Sequence, residues 1–260
     1  MHPDAAIVVE KGITMRAHLI AAGKYHDIDF ARLEILKLLA EHPSIRTSVA
    51  SCYADLSSLE VSDLLITYTC DLVPNERQTE ALKVFLERGG RWLALHGTNS
   101  ILRFNVDGIV ETPDEAPAFS RLMGTRFVGH PPIAPFKVFV TCADHPLTEG
   151  LRDFRVEDEL YLTQRTADID VLLHTSFKGK CPEFGDDTWD EPVVPVLYER
   201  KFGSGSVLYL TLGHCRGHYD LRPLTNFWPH PQRCAWNYPI YYELLRRSIR
   251  WGCSFLNDLA

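Results

Sequence analysis

Between residues 16 and 96 the chain repeats one pattern, a short apolar run followed by a loop and then by residues with helical spacing. Few folds accept such a pattern. Parallel strands cannot be joined by tight turns, and each crossover must pass over a face of the sheet. The first strand is expected at Arg16–Ala21, closing on Gly23, and Ile28–Leu39 follows with apolar residues on a helical stripe. Further strands are expected at 46–51, 64–69 and 92–96, with a helix between Pro74 and Arg88 that starts behind a proline and stops at Gly89-Gly90. This alternation predicts a mostly parallel sheet with helices on both faces.

The second half is less regular. A short helix closes at Ser120–Met123, and Phe136–Thr141, Val171–Thr175, Val193–Tyr198 and Ser206–Leu212 have the character of strands. Lys178–Glu191 mixes glycine, proline and acidic residues and is expected to be a loop or hairpin excursion. An amphipathic helix is expected at Ile240–Trp251. Residues 1–13 have the character of a tail, and 14–260 carry no linker-like stretch, so one domain is expected there.

Composition excludes several classes of function. The formal charge is −7 and no basic face is apparent, which argues against nucleic acid as a partner. No run approaches the roughly 18 apolar residues of a membrane span, and Met1-His2-Pro3-Asp4 is unlike a secretory leader; a cytoplasmic protein is expected. Seven cysteines, an odd number without a C-x-x-C pair, are expected to be reduced thiols.

Four histidines, His26, His96, His130 and His214, stand just after expected strands or in the glycine-rich loops beside them. Strand carboxyl ends meet at one rim of an open α/β sheet, so residues far apart in sequence can converge there. Imidazole at such a place can bind a metal, move a proton or contact an anion. Glu157-Asp158-Glu159 brings carboxylates that could complete a metal site or act as acid or base. No Ser or Cys ends the strand before His96-Gly97, so the nucleophile elbow of acyl transfer is missing. Cys215, beside His214, is the alternative nucleophile. Gly203-Ser204-Gly205 precedes a strand and lacks the context of a nucleotide loop.

The order of segments resembles the ThuA-like, or trehalose-utilisation, family, whose fold is similar to class I glutamine amidotransferases. The resemblance runs through Leu95-His96-Gly97, Phe119–Phe127 with His130-Pro131, His145–Leu151, Asp158–Tyr161, Gly205–His214 and Arg247–Gly252. It implies a flavodoxin-like, three-layer α/β sandwich with a mostly parallel central sheet. It also implies that the pocket is kept while the amidotransferase cysteine is replaced by His96, and that the chemistry lies in sugar metabolism. The aromatic, proline-rich stretch 216–239 is longer than the resemblance leads one to expect, as a lid or an oligomer contact would be.

The expectation that follows is a metal-assisted isomerase or lyase acting on a keto-sugar or oxidised glycoside. A divalent ion, zinc or manganese, would be held by His26, His96, His130 and His214, or a subset, and would polarise the carbonyl. His96, Asp158, Glu159 and His214 are the expected catalytic residues, with Tyr161 and Trp228 stacking on the sugar. A Cys215 hydrolase and a non-catalytic sugar-binding module are the alternatives, and a homodimer is the default assembly.

Overall fold

The computed structural model describes residues 15–185 and 188–253, so the expected tail at 1–13 lies outside the described residues. The first half is wound as the alternation requires. Strands β1 (Met15–Gly23), β2 (Ile45–Ala50), β3 (Leu64–Cys70) and β4 (Arg91–Leu95) are separated by α1 (Ile28–Ala40), α2 (Leu56–Glu60) and α3 (Glu76–Glu87). The strands pair in parallel in the order β2-β1-β3-β4. Helix starts are chemically marked. The Asp27 side chain accepts from the Phe30 amide at the head of α1, and Asn75 and Gln78 form a reciprocal capping box on α3.

After β4 the chain makes a 3-10 turn at His96–Asn99 and a small hairpin of β5 (Arg103–Phe104) and β6 (Val110–Glu111). It continues through α4 (Pro117–Met123), β7 (Thr125–Gly129), β8 (Ala134–Val140), β9 (Phe154–Asp158), β10 (Leu162–Arg165), β11 (Asp170–Lys180), β12 (Thr188–Phe202), β13 (Gly205–Leu210) and α5 (Pro239–Cys253). Strand β13 lies beside β4 in parallel, and β12, β11, β8 and β9 extend the sheet antiparallel to one another. The nine-stranded order is β2-β1-β3-β4-β13-β12-β11-β8-β9. The sheet is therefore parallel over one half only, a correction to the mostly parallel expectation. The reason is the stretch 178–191, where the hairpin alternative holds. Its residues are paired as far as Lys180 and Thr188, so β11 and β12 form a long hairpin that needs no crossover helix.

Period-two alternation divides the core between the two faces of the sheet. Leu64, Ile66, Leu93, Leu95, Leu208 and Leu210 pack with Ile35 and Leu38 of α1 and Leu244 and Ile249 of α5. Their neighbours Leu65, Trp92, Val207 and Tyr209 pack with Phe85 and Leu86 of α3 and Phe119 and Met123 of α4. Three layers result: α1 with α5, the sheet, and α2, α3 and α4. Strands buried on both faces are largely apolar without strict alternation, as β3 and β13 are. The carboxyl ends of β1, β3, β4 and β13 share one rim, and the chain leaves each of them toward the site.

Candidate functional site

Three rings and one carboxylate meet at that rim. The ligating atoms of His26, His96, His214 and Glu159 all lie within 4.8 Å of one another, and the four residues are buried. His26 comes from the loop after β1, just before the cap of α1, and His96 is the first residue beyond β4. His96 holds φ at 43°, a left-handed conformation that a side-chain-bearing residue adopts at some cost. The turn directs its ring back over the strand ends, and its carbonyl accepts from the Tyr209 hydroxyl. His214 follows Gly213, whose φ is 124° and where a Cβ would stand 2.2 Å from the Tyr241 hydroxyl. Only glycine fits there.

Each ring is oriented by a partner on its outer side. His26 Nδ1 donates to the Lys24 carbonyl at 3.1 Å, His96 Nδ1 to the Thr211 carbonyl at 2.8 Å, and His214 Nε2 to Gln232 Oε1 at 2.9 Å. These acceptors assign the protons to the outer nitrogens and leave the inner ones as lone pairs. The consequence is an arrangement that repels itself. His26 Nε2 and His96 Nε2 face each other at 2.9 Å, and the buried His214 Nδ1 makes no hydrogen bond although Glu159 Oε2 is 3.1 Å away. Glu159 Oε2 is also 3.5 Å from His96 Nε2 and 3.9 Å from His26 Nε2. Three imidazole lone pairs and a carboxylate aimed at one point, with carbonyls fixing the tautomers behind, form a donor set that could hold a divalent transition metal.

The electrostatics run the same way. Burial, reinforced by the neighbouring His96 and His214, holds the His26 imidazole well below its usual range, and burial likewise lowers His214. Both rings are thereby kept as neutral ligands. Burial pushes the Glu159 carboxyl upward, but contact with the imidazoles around it, His130 first, holds it well below the usual range, so it stays a carboxylate.

Asp158 and Glu159 part company at the end of β9. Along that strand Arg155 and Glu157 are exposed while Val156 and Asp158 are buried, and Asp158 turns its carboxylate to the backbone of the next strand exit. It accepts the Gly213 amide at 2.7 Å, the His214 amide at 3.1 Å and the Glu159 amide at 2.8 Å. Burial raises its pKa to about 6 against the pull of nearby His96 and these donors. These bonds engage Asp158 in fixing the turn that presents His214, a part other than the catalytic one expected of it. Asp158→Ala leaves two buried amides of another segment without an acceptor and is expected to lower stability by about 3 kcal/mol, measured by urea denaturation.

His130, expected among the ligands, stands outside the four-membered cluster. The Gly129-His130-Pro131 backbone carries it to the mouth, where Nδ1 donates to the Pro131 carbonyl at 2.9 Å and Nε2 faces the other Glu159 oxygen, Oε1, at 3.3 Å. Tyr161 packs its ring 4.3 Å from that of His96 and lines the cavity above the cluster. Trp228 does not line that cavity; it lies in the 216–232 loop, 6.0 Å from the Arg216 guanidinium. Cys215 is buried, its thiol against the Tyr68 hydroxyl at 3.1 Å and the Asp27 carbonyl at 3.4 Å, and burial pushes it up to about 12. Such a thiol is a packing residue, not a nucleophile. Cys215→Ala is expected to keep turnover within about twofold and to cost about 1–2 kcal/mol of stability, as small core truncations do; kinetics and thermal melting of the one variant check both.

Three residues outside the expected set belong to the site. Gln232 Oε1 serves His214 and also accepts from Arg216 Nη1 at 3.1 Å, while Arg216 Nε donates to the Tyr25 carbonyl at 3.0 Å. Arg216 and Gln232 also pair through their backbones, closing the neck of the loop between them. Thr211 acts through its carbonyl alone. The only signal for Arg216 is its nearness to His214, and Gln232, between two prolines and an arginine, carries none.

A mixed sheet between two helical layers, with the residue after β4 held in a left-handed turn at the rim, defines a three-layer α/β class of protein with its site at the strand exits. Within that class, the chain belongs to the ThuA family, described as trehalose utilisation, whose model matches residues 19–227. Solved structures agree on the fold. A protein described as ThuA-like from Parabacteroides merdae superposes with a TM-score of 0.66 at 15% identity, covering 92% of this chain and 90% of that one. A second, from Bacteroides uniformis, gives 0.63 at 18% identity and covers 94% of each chain. A protein described as a component of GMP synthase, from Thermoplasma acidophilum, gives 0.53 at 12% identity, covering 95% of this chain and 98% of that one. No curated protein matches the chain in sequence. Among the described residues no helix is long and apolar enough to cross a membrane.

Proposed function

We propose that the protein is a metal-dependent isomerase or lyase acting on a keto-sugar or an oxidised glycoside. Membership of the ThuA family supports a role in sugar metabolism. The observation that carries the finer reading is the convergence of three buried imidazole lone pairs on Glu159, with no internal proton to separate them. Zinc or manganese suits three nitrogens and one carboxylate oxygen, and when bound it supplies a Lewis acid for a substrate carbonyl.

The rest is done by side chains. His26, His96, His214 and Glu159 would hold the ion, and their carbonyl partners keep the rings from turning. Glu159 thereby has one oxygen, Oε2, for the ion and the other, Oε1, for His130. His130 is the histidine left to move a proton. Its Nδ1 is tied to a carbonyl, so Nε2 is the atom that takes a proton from the carbon beside the carbonyl. Returning that proton to a neighbouring atom completes an isomerisation, and expelling a leaving group completes an elimination. Tyr161 closes the wall over His96 and excludes water from it.

The test is turnover of keto-sugars, followed by carbon NMR, before and after removal of metal with a chelator. Isomerisation or elimination that is lost on chelation and restored by zinc or manganese supports the proposal. Turnover indifferent to chelation, or ligand binding without turnover of any oxidised sugar, sinks it, the second outcome in favour of a binding module.

A further inference from the structure

Two recesses meet at the residues just before α1. The cavity above the cluster, with Leu221 and Leu224 in its wall, measures about 90 Å³. Small-molecule sites run to roughly 300–1,000 Å³, so this one takes only the reactive end of a substrate, and the remainder needs another place. Beside it lies an open cleft of about 450 Å³ between the start of α1 and the 216–232 loop. Tyr25 and His26 line both recesses. Tyr25 stands between them. Its φ is 67°, its carbonyl accepts from Arg216 Nε at 3.0 Å, and its ring meets Phe104 at 6.0 Å.

The polar groups of the cleft are of two kinds. Asp27 is committed to Arg233 at 2.8 Å and to the Phe30 amide, Asp220 to the Gly217 amide, and Lys24 to Asp71 at 2.6 Å. The Arg222 guanidinium and the Ser51 and Tyr219 hydroxyls, by contrast, have no hydrogen-bond partner among the described residues. Tyr219 is 62% exposed, yet the loop that carries it is tightly bonded to itself. His218 Nδ1 donates to the Trp228 carbonyl and the Trp228 amide to the His218 carbonyl, both at 2.7 Å. The His218 ring stacks on Phe227 at 4.9 Å, and Phe227 meets Tyr219 edge-on at 5.9 Å. The Asp27–Arg233 pair fastens the segment after this loop to the cap of α1. A large ring is thus held in place while most of it stays wet, beside a cation and hydroxyls with nothing to bind. The face of such a ring receives the C–H face of a sugar, the groups around it take the hydroxyls, and a ring already fixed loses little freedom on binding.

We infer that this cleft is the subsite for the part of the substrate that does not react, and that Tyr219 and Arg222 are the residues that select it. A hydroxylated ring lies on the face of Tyr219, with its hydroxyls on Arg222 and Ser51. The inference rests on the keto-sugar reading for the end that lies at the cluster. Phe104 and Leu224, on the other side of Tyr25, then flank the reacting unit. Discrimination among glycosides falls to the 216–232 loop, and the chemistry to the strand exits.

The experiment measures, by calorimetry, dissociation constants of the full chain with zinc added for trehalose and for methyl α-D-glucoside, neither of which carries the carbonyl needed for turnover. Trehalose, with two rings, is expected to bind ~tenfold tighter than the one-ring probe, as stacking on an aromatic face and new hydrogen bonds allow. Tyr219→Ala combined with Arg222→Ala should bring that ratio near one with metal content and melting temperature unchanged, both side chains being exposed. Tyr219→Phe, which keeps the ring face, should hold the ratio within ~threefold of wild type. Phe104→Ala combined with Leu224→Ala should leave the ratio as it is. A wild-type ratio near one, no saturable binding of trehalose, or a ratio kept in the Tyr219 and Arg222 double variant each overturns the inference. So does a ratio lost only in the Phe104 and Leu224 double variant, which would seat the second ring on the apolar side of Tyr25. Failure of the keto-sugar reading is distinguishable. In that case no oxidised sugar turns over, while the trehalose ratio and its collapse in the Tyr219 and Arg222 variant persist.

Discussion

Replacing His96 and His214 together by alanine should strip the protein of its metal. Elemental mass spectrometry of the wild type, purified without a tag, is expected to find close to one zinc or manganese per chain, and the double variant next to none. Two of the four converging donors disappear, and a two-ligand remnant of His26 and Glu159 cannot satisfy a four-coordinate ion. A second reading separates loss of metal from loss of fold. Ion bound only to the native state at ~1,000 times its dissociation constant stabilises it by ~4 kcal/mol, so a chelator should lower the wild-type melting temperature. The double variant, still melting cooperatively, should show no response to chelator. Metal retained at full stoichiometry in that variant would remove His96 and His214 from the ligand set, and with them the proposed function.

His130→Ala is expected to lower turnover by 10²–10⁴-fold, the usual contribution of a positioned proton-transfer group. It should leave metal content where it is, because His130 Nε2 addresses Glu159 Oε1 and the four-membered cluster is complete without it. This contrast is the useful part of the experiment. A variant that loses metal and activity together would make His130 a ligand, and one that keeps both would give the proton transfer to another group. His130→Gln, which keeps a polar side chain but cannot accept and release a proton at neutral pH, should behave as the alanine variant does.

The rim site was readable from the chain because its logic is topological. Apolar runs such as Leu64–Thr69 and Trp92–Leu95, each followed by a helix or a forced turn, place His26, His96 and His214 at one edge whatever the details of packing. Where reading stopped, the deciding physics was tertiary. The antiparallel half of the sheet follows from the β11–β12 hairpin, whose strands pair from Lys180 and Thr188 outward through residues whose composition imitates a loop. The choice between Asp158 and Glu159 depends on a short strand, β9, that ends between them, and neighbouring residues on a strand face opposite ways. His130 carries the same local signature as its fellows, yet it meets Glu159 through Oε1 and stands outside the four-membered group. Trp228 offered an aromatic face in sequence, but its loop packs it beside Arg216 and away from the cavity.

The double duty of Gln232 has a thermodynamic corollary. One amide oxygen receives both the ring of His214 and the guanidinium at the neck of the 216–232 loop, so the ligand sphere and the loop share a single acceptor. Two equilibria joined through one group are linked, and linkage is reciprocal. If filling the cluster steadies the loop by a given free energy, then anything seated on Leu221 and Leu224 must strengthen the grip on the ion by the same amount. Under the proposed function, substrate and metal would then act as mutual effectors, with the loop joining them.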